Sequence, residues 1–301
     1  MRPTVEGALA IRRPVEQEAP KRRFLVFNAS GGQPPLVLFP GLCGSPASFR
    51  GLPEALGTDQ PLYLADSLDI EAPQELLVAS IEHMADAYET DLQRLCPTRT
   101  LILGGYSFGM LLVLELARRL LTHGYSVPLL VSLESAAPNY PKFLPTKQRV
   151  LAHLREIGFG EQRRYIADRL SNTYRRLLRS LHREYLLIPH VQASSSEVRQ
   201  ITKRLFDVSI EAIERYQPRF TVETDLLFFQ AHTPERRIGV QPHDPQAGWS
   251  SYIGGNITVV PVAGEHGTIL NSTNREVIAR RYQQHIEALG LAVQKTPQSR
   301  A

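Results

Sequence analysis

Continuous apolar runs alternate with stretches in which apolar residues return every three or four positions, from about Phe24 to Leu289. FLVF, then NASGGQPP, then LVLFPG read as strand, Gly/Pro turn and strand, which predicts a hairpin leading into the first buried strand. That strand ends in Pro40-Gly41-Leu42-Cys43-Gly44. PLYLAD at 61–66 predicts a short strand, and over 74–95 the residues Leu76, Leu77, Ile81, Met84, Ala85, Tyr88 and Leu92 fall at helical spacing. Residues 100–105 predict an apolar strand that runs straight into Tyr106-Ser107-Phe108-Gly109. MLLVLELARRLL then predicts an apolar helix closed by His123-Gly124. PLLVSLE at 128–134, DLLFFQA at 225–231 and NITVVPV at 256–262 predict further buried strands, and a closing helix covers about 275–289.

Strands that read as unbroken apolar runs and alternate with helices indicate a parallel sheet covered on both faces, so the fold class is α/β. The pattern changes over 140–224, where amphipathic helical stretches such as 162–187 and 196–215 replace buried strands. This segment is expected to be a helical lid inserted into a core made of 23–139 and 225–293. Residues 1–22 are polar, charged and proline-bearing, which suits a linker or loosely attached arm, and 294–301 form a tail.

A composition of 43% apolar and 21% charged residues is that of an ordinary globular chain with a full-sized core. Two cysteines, Cys43 and Cys96, are too few for a disulfide framework, and no Cys/His cluster has metal-ligand spacing, so no metal and no bound cofactor are expected. A net charge of +4 is modest for this length, and neither an aromatic-rich basic stretch nor a zinc finger is present, which argues against nucleic acid. The N-terminus lacks the apolar core of a signal peptide and no run of about 18 apolar residues occurs, so neither a membrane span nor export is expected and the reading is cytoplasmic.

Gly105-Tyr106-Ser107-Phe108-Gly109 satisfies the G-x-S-x-G nucleophile elbow, in which a strained strand-to-helix turn lifts a serine hydroxyl above the sheet edge. The pentapeptide alone is common. Its placement between an apolar strand and an apolar helix is what points to a nucleophile, with the helix N-terminus beside the developing oxyanion. Serine needs a base on a later loop at the same edge, and His266 follows the last strand in VAGEHG, between flexible glycines. His83, His123, His153 and His182 lie in helical contexts, while His232 and His243 follow the preceding strand. The base needs a carboxylate to fix its tautomer. Strand-end placement favours Glu134; residue type favours Asp244, on a polar loop that also carries Glu235, and both stay open with Glu134 preferred. The oxyanion hole is expected from the backbone N–H groups of Phe108 and Leu42. Cys43 is expected to fill space in a tight loop.

Together these residues resemble the α/β-hydrolase thioesterase domains that end nonribosomal peptide and polyketide synthetases, and their free-standing type II relatives. The resemblance runs from about Phe24 to Leu289, through FLVFNASGGQPPLVLFPGLCG, LILGGYSFGMLLVLELARRL and WSSYIGGNITVVPVAGEHGTIL. It implies an acyl, polyketide or peptidyl substrate delivered as a thioester on the phosphopantetheine of a carrier protein, and an acyl-Ser107 intermediate released to water or to an internal nucleophile. In that family the acid follows the same strand as Glu134 and is usually aspartate, and Met110 replaces a glycine that many members carry. Residues 1–22 resemble a carrier-to-thioesterase linker, while Met1 also fits a free-standing enzyme, a monomer or weak dimer. Seven arginines over 163–183 offer either a solvated helix face or a surface for an acidic carrier. The rival classes are another serine hydrolase of this fold, a carboxylesterase or acyltransferase, and an inactive binding scaffold.

Overall fold

The computed structural model describes residues 23–42, 44–66, 80–141, 145, 148, 196–232 and 244–292. Seven strands form one sheet: β1 (Phe24–Phe27), β2 (Leu36–Phe39), β3 (Leu62–Ala65), β4 (Ile102–Tyr106), β5 (Leu129–Leu133), β6 (Asp225–Ala231) and β7 (Ile257–Val262). Their spatial order is β1-β3-β2-β4-β5-β6-β7, all parallel except β1, which runs antiparallel to β3. The described helices are α1 (Leu52–Leu56), α2 (Ile81–Leu95), α3 (Gly109–Thr122), α4 (Ser196–Arg215) and α5 (Ser272–Ala288).

Period-two alternation along the strands sorts the core into two clusters. Val37, Phe39, Leu103, Leu130 and Phe228 face one side, with α2 and α3. Leu36, Leu38, Ile102, Leu129, Val131 and Phe229 face the other, with α1 and α5. The helices start where the sequence supplies caps: the Ser80 side chain accepts from the His83 amide ahead of α2, and Asn271 accepts from the Asn274 amide ahead of α5. α3 is buried on most of its circumference because it lies over the sheet centre. Its one carboxylate, Glu115, is buried and paired with Arg118 and Arg119, which relieves the cost of burying its charge.

Two expectations change. β1 and β2 do not pair as a hairpin, since β3 lies between them. An eight-residue Gly/Pro connection is long enough to step over one strand, and β3 offers an antiparallel partner in register from Phe24↔Ala65 to Phe27↔Leu62. β7 is a half-exposed edge strand and not a fully buried one, with Thr258 and Pro261 exposed. A proline is tolerated there because an edge strand has one side without a ladder partner. The helix at 196–215 is present. The arm at 1–22, the helical stretch at 162–187 with its arginines, the tail at 294–301 and the start of the 74–95 helix lie outside the described residues.

Candidate active site

The elbow is the most tightly determined feature of the sheet edge. β4 runs to Tyr106, and Ser107 then takes a left-handed backbone with φ 51°, a strained conformation for a residue with a side chain. Its amide donates to the Leu133 carbonyl at 3.2 Å, and its own carbonyl accepts from the Met110 amide at 3.1 Å and the Ser135 hydroxyl at 2.8 Å. Glycine is required on both sides. A Cβ on Gly105 would lie 2.5 Å from the Met110 amide nitrogen, and one on Gly109 would lie 2.4 Å from the Phe39 carbonyl oxygen. α3 therefore packs directly against the end of β2, with its N-terminus at the serine, and Met110 is accommodated in the core.

Glu134 follows β5, also with a left-handed backbone at φ 49°. Its amide extends the ladder to Phe229 O at 2.8 Å, and its carboxylate accepts a hydrogen bond from the Ala231 amide at the end of β6. Asp244 is used differently. Its two carboxylate oxygens accept from the amides of Gln246 (2.9 Å) and Gly248 (2.7 Å), closing the turn that leads into a short 3-10 helix, Trp249–Ser251. Glu235, His243 and Cys43 lie outside the described residues.

His266 opens a 3-10 turn, His266–Thr268, on the loop after β7 and is exposed. Hydrogen bonds hold this loop. The buried Asn274 side chain donates to Ala263 O at 2.7 Å and Thr268 O at 3.3 Å, and the Glu265 amide donates to the Thr268 hydroxyl at 2.9 Å. The Tyr106 hydroxyl donates to the His266 carbonyl at 2.9 Å.

Ser107, Glu134, His266, Leu42 and Phe108 line one cleft of about 410 Å³. That volume is in the range of sites that take one small-molecule group. Leu111, Tyr140, Ile213 and Tyr216 supply its apolar wall, so the C-terminal turn of α4 overhangs the elbow. Tyr216 is tied down by its hydroxyl, 3.4 Å from the Glu115 carboxylate, and burial followed by that negative charge pushes its phenol pKa up. Asp244 and His232 are not among the described residues that line the cleft. Among the described residues no hydrogen bond joins Ser107 to the His266 ring; the side-chain hydroxyls of Ser135 and Tyr106 donate to the Ser107 and His266 carbonyls.

Several residues around the site escaped sequence reasoning. Tyr106 fills the variable position of the elbow motif, which carries no residue-specific signal. Ser135 bonds the Ser107 carbonyl, and its own carbonyl accepts from the Trp249 indole at 2.8 Å, a link spanning 114 positions. Only the motif-internal place of Tyr106 could have drawn attention to it.

A mostly parallel sheet with a serine elbow after β4 and a histidine loop after the last strand defines the α/β-hydrolase class. Within it, the family model of the thioesterase domain matches residues 34–286, and the chain belongs to that family of enzymes acting on thioester bonds. Among curated relatives, a dimodular nonribosomal peptide synthase of Bacillus subtilis (strain 168) is 27% identical over 247 residues, covering 80% of this chain and 10% of the relative. Of solved structures, the NocB thioesterase domain from the nocardicin cluster aligns with TM-score 0.60 at 20% identity over 90% of this chain and 100% of that one. SrfTE, the thioesterase domain described for cyclization of the lipopeptide antibiotic surfactin, aligns with TM-score 0.55 at 17% identity, over 91% and 97%. The chain spans no more than 12% of the length of the curated relatives it matches. Among the described residues no helix is long and apolar enough to cross a membrane, and no group of His, Cys, Asp and Glu could hold a metal.

Proposed function

We propose that the protein cleaves an acyl, polyketide or peptidyl thioester carried on the phosphopantetheine of a carrier protein, through an acyl-Ser107 intermediate. The observation that carries this reading is the convergence of Ser107, His266 and Glu134 on one cleft, with the serine held at φ 51° at the head of α3. In the first half-reaction the Ser107 hydroxyl attacks the thioester carbonyl carbon while His266 takes its proton, and the backbone N–H groups of Leu42 and Phe108 receive the oxyanion. The C–S bond then breaks and His266 returns the proton to the departing thiol. In the second half-reaction, water or a nucleophile within the acyl chain repeats the sequence and frees Ser107. Glu134 holds the imidazole tautomer and stabilises the imidazolium; the Ala231 amide on its carboxylate supports that assignment, because it fixes a flexible side chain. Asp244 is left to its turn, where both oxygens are engaged. In this reading α4, whose last turn brings Ile213 to the cleft, belongs to the helical lid expected over 140–224.

Intact-mass spectrometry and turnover with acyl N-acetylcysteamine or acyl-phosphopantetheine thioesters test the mechanism, beside the matching oxygen esters. The wild-type chain is expected to gain one acyl group and to prefer the thioester. Ser107→Ala should lose the adduct and about 10⁴-fold or more in kcat, and Glu134→Ala about 10²- to 10⁴-fold. Asp244→Ala should lower stability and leave kcat within a few-fold. An adduct that survives Ser107→Ala, or a greater kcat loss in Asp244→Ala than in Glu134→Ala, would sink the assignment.

A further inference from the structure

The nucleophile and base of the proposed mechanism stand on separate elements, 159 positions apart in sequence, and attack requires their reacting atoms within about 3 Å. One residue spans that separation. Tyr106 is joined to Ser107 by a peptide bond, its hydroxyl donates to the His266 carbonyl at 2.9 Å, and its ring stacks on the His266 ring with centroids 5.2 Å apart at an interplanar angle of 26°. The tyrosine ring also lies close to Gly41, where an added Cβ would sit 3.1 Å and 3.2 Å from two of its ring carbons. The ring thus lies beside both the loop that carries Leu42 and the loop that carries His266.

We propose that Tyr106 is the positioning residue that sets the base against the nucleophile, its hydroxyl fixing the backbone of the His266 loop and its ring fixing the plane of the imidazole. This inference rests on the reading of His266 as the base. The two contacts act on different parts of the same residue. A hydrogen bond to the carbonyl of His266 prevents an exposed loop from sliding along the sheet edge, and the aromatic face limits imidazole rotation about its side-chain bonds. The face also supports the imidazolium formed when Ser107 gives up its proton, since a cation within about 6 Å of an aromatic centroid is attracted to the ring. Burial, and then the negative charge of Glu134, push the Tyr106 phenol pKa up, so the hydroxyl stays protonated and able to donate through the neutral range.

Three variants separate positioning from folding. Tyr106→Phe keeps the ring and removes the donor; Tyr106→Leu removes both. Tyr282→Phe deletes a buried phenol hydroxyl on α5, one that donates to Gln60 Oε1 at 2.8 Å and is no part of the cleft lining. Active serines are titrated with a fluorophosphonate, and kcat per titrated site and KM are then measured with an acyl N-acetylcysteamine thioester. Tyr106→Phe is expected to lower kcat per site about 2- to 10-fold, the range of one hydrogen bond, with KM within about twofold. Tyr106→Leu should lose a further factor of about 2 to 5 for the missing ring face. Tyr282→Phe should melt earlier with kcat per site unchanged. Wild-type kcat per site in Tyr106→Leu, or a loss in Tyr282→Phe equal to that in Tyr106→Phe, overturns the proposal. His266→Ala distinguishes the two levels: turnover that survives it removes the base assignment and this inference together. Turnover abolished by it, beside unaffected Tyr106 variants, removes this inference alone.

Discussion

The elbow and the histidine loop meet at one sheet edge but are held there by different forces. Around Ser107 the determinant is steric: β2, β4 and β5 are buried throughout except at the last residue of β4, and Gly105 and Gly109 leave no room for a Cβ. Around His266 every residue from Ala263 to Thr268 is exposed or half-exposed, and the loop keeps its shape through hydrogen bonds donated by Asn274, Thr268 and Tyr106. Close packing is an all-or-none constraint, because an added atom must displace a rigid neighbour. Hydrogen bonds at a surface are individually worth about 1 kcal/mol net and can open locally. One half of the proposed machinery is therefore as stable as the fold itself, while the other can open without it.

The sharpest way to break this contrast is Gly109→Ala. Its Cβ would meet the carbonyl oxygens of Phe39 at 2.4 Å and Pro40 at 2.6 Å, both backbone atoms of the strand end that anchors the elbow. Relief requires α3 to move off β2, which opens the core over the sheet centre. We expect a loss of about 3 kcal/mol or more, at the severe end for single substitutions, seen as a large fall in the denaturant midpoint or failure to fold. Near-native stability would mean that the elbow is looser than its contacts imply.

Asn274→Ala should instead reveal the softness of the histidine loop. The side chain is 3% exposed and donates to both Ala263 O and Thr268 O, so its removal leaves two carbonyls without that donor. A global cost of about 1–3 kcal/mol is expected, with a fall in kcat larger than that stability loss would cause by itself. Hydrogen exchange locates the effect: amides over 263–268 should exchange faster while those of β4 and β5 remain protected. Uniform loss of protection across the sheet would show that the two regions open together and that the contrast is false.

The same difference decides what could be read from the residues alone. Steric constraints write themselves into sequence, as glycines at 105 and 109 bracketing a serine and as the unbroken apolar run of α3, so the elbow and the central strands were legible. DLLFFQA at 225–231 was bounded to the residue for that reason. Hydrogen-bonded arrangements leave weaker marks. That Ser135 connects Trp249 to the Ser107 carbonyl follows from contacts spanning 114 and 28 positions that no local pattern encodes, whereas the turn capped by Asp244 is local, with its partners two and four residues on. Strand order at the sheet margin was hidden likewise. FLVF and LVLF both read as strands, but which neighbour β1 pairs with depends on β3 arriving between them, and a turn-rich connector does not encode that choice.

The smallest expected signal, and the most discriminating for the packed half, comes from Cys96 at the end of α2. It is 1% exposed, and burial pushes its thiol up to about 11. At pH 8 about one thousandth of it would be thiolate, the form that reacts, and even that fraction has no path to reagent while the core is closed. In a Cys43→Ser background, labelling of Cys96 by an alkylating agent should therefore follow the global unfolding equilibrium and accelerate only as denaturant approaches the midpoint. The Asn274→Ala change should leave it slower by orders of magnitude than exchange at 263–268, because opening the histidine loop exposes nothing of the α2 and α3 face where Cys96 packs. Rapid labelling in native buffer would require a local opening of α2 against the sheet, and the steric half of the molecule would then lose its claim to be the rigid one.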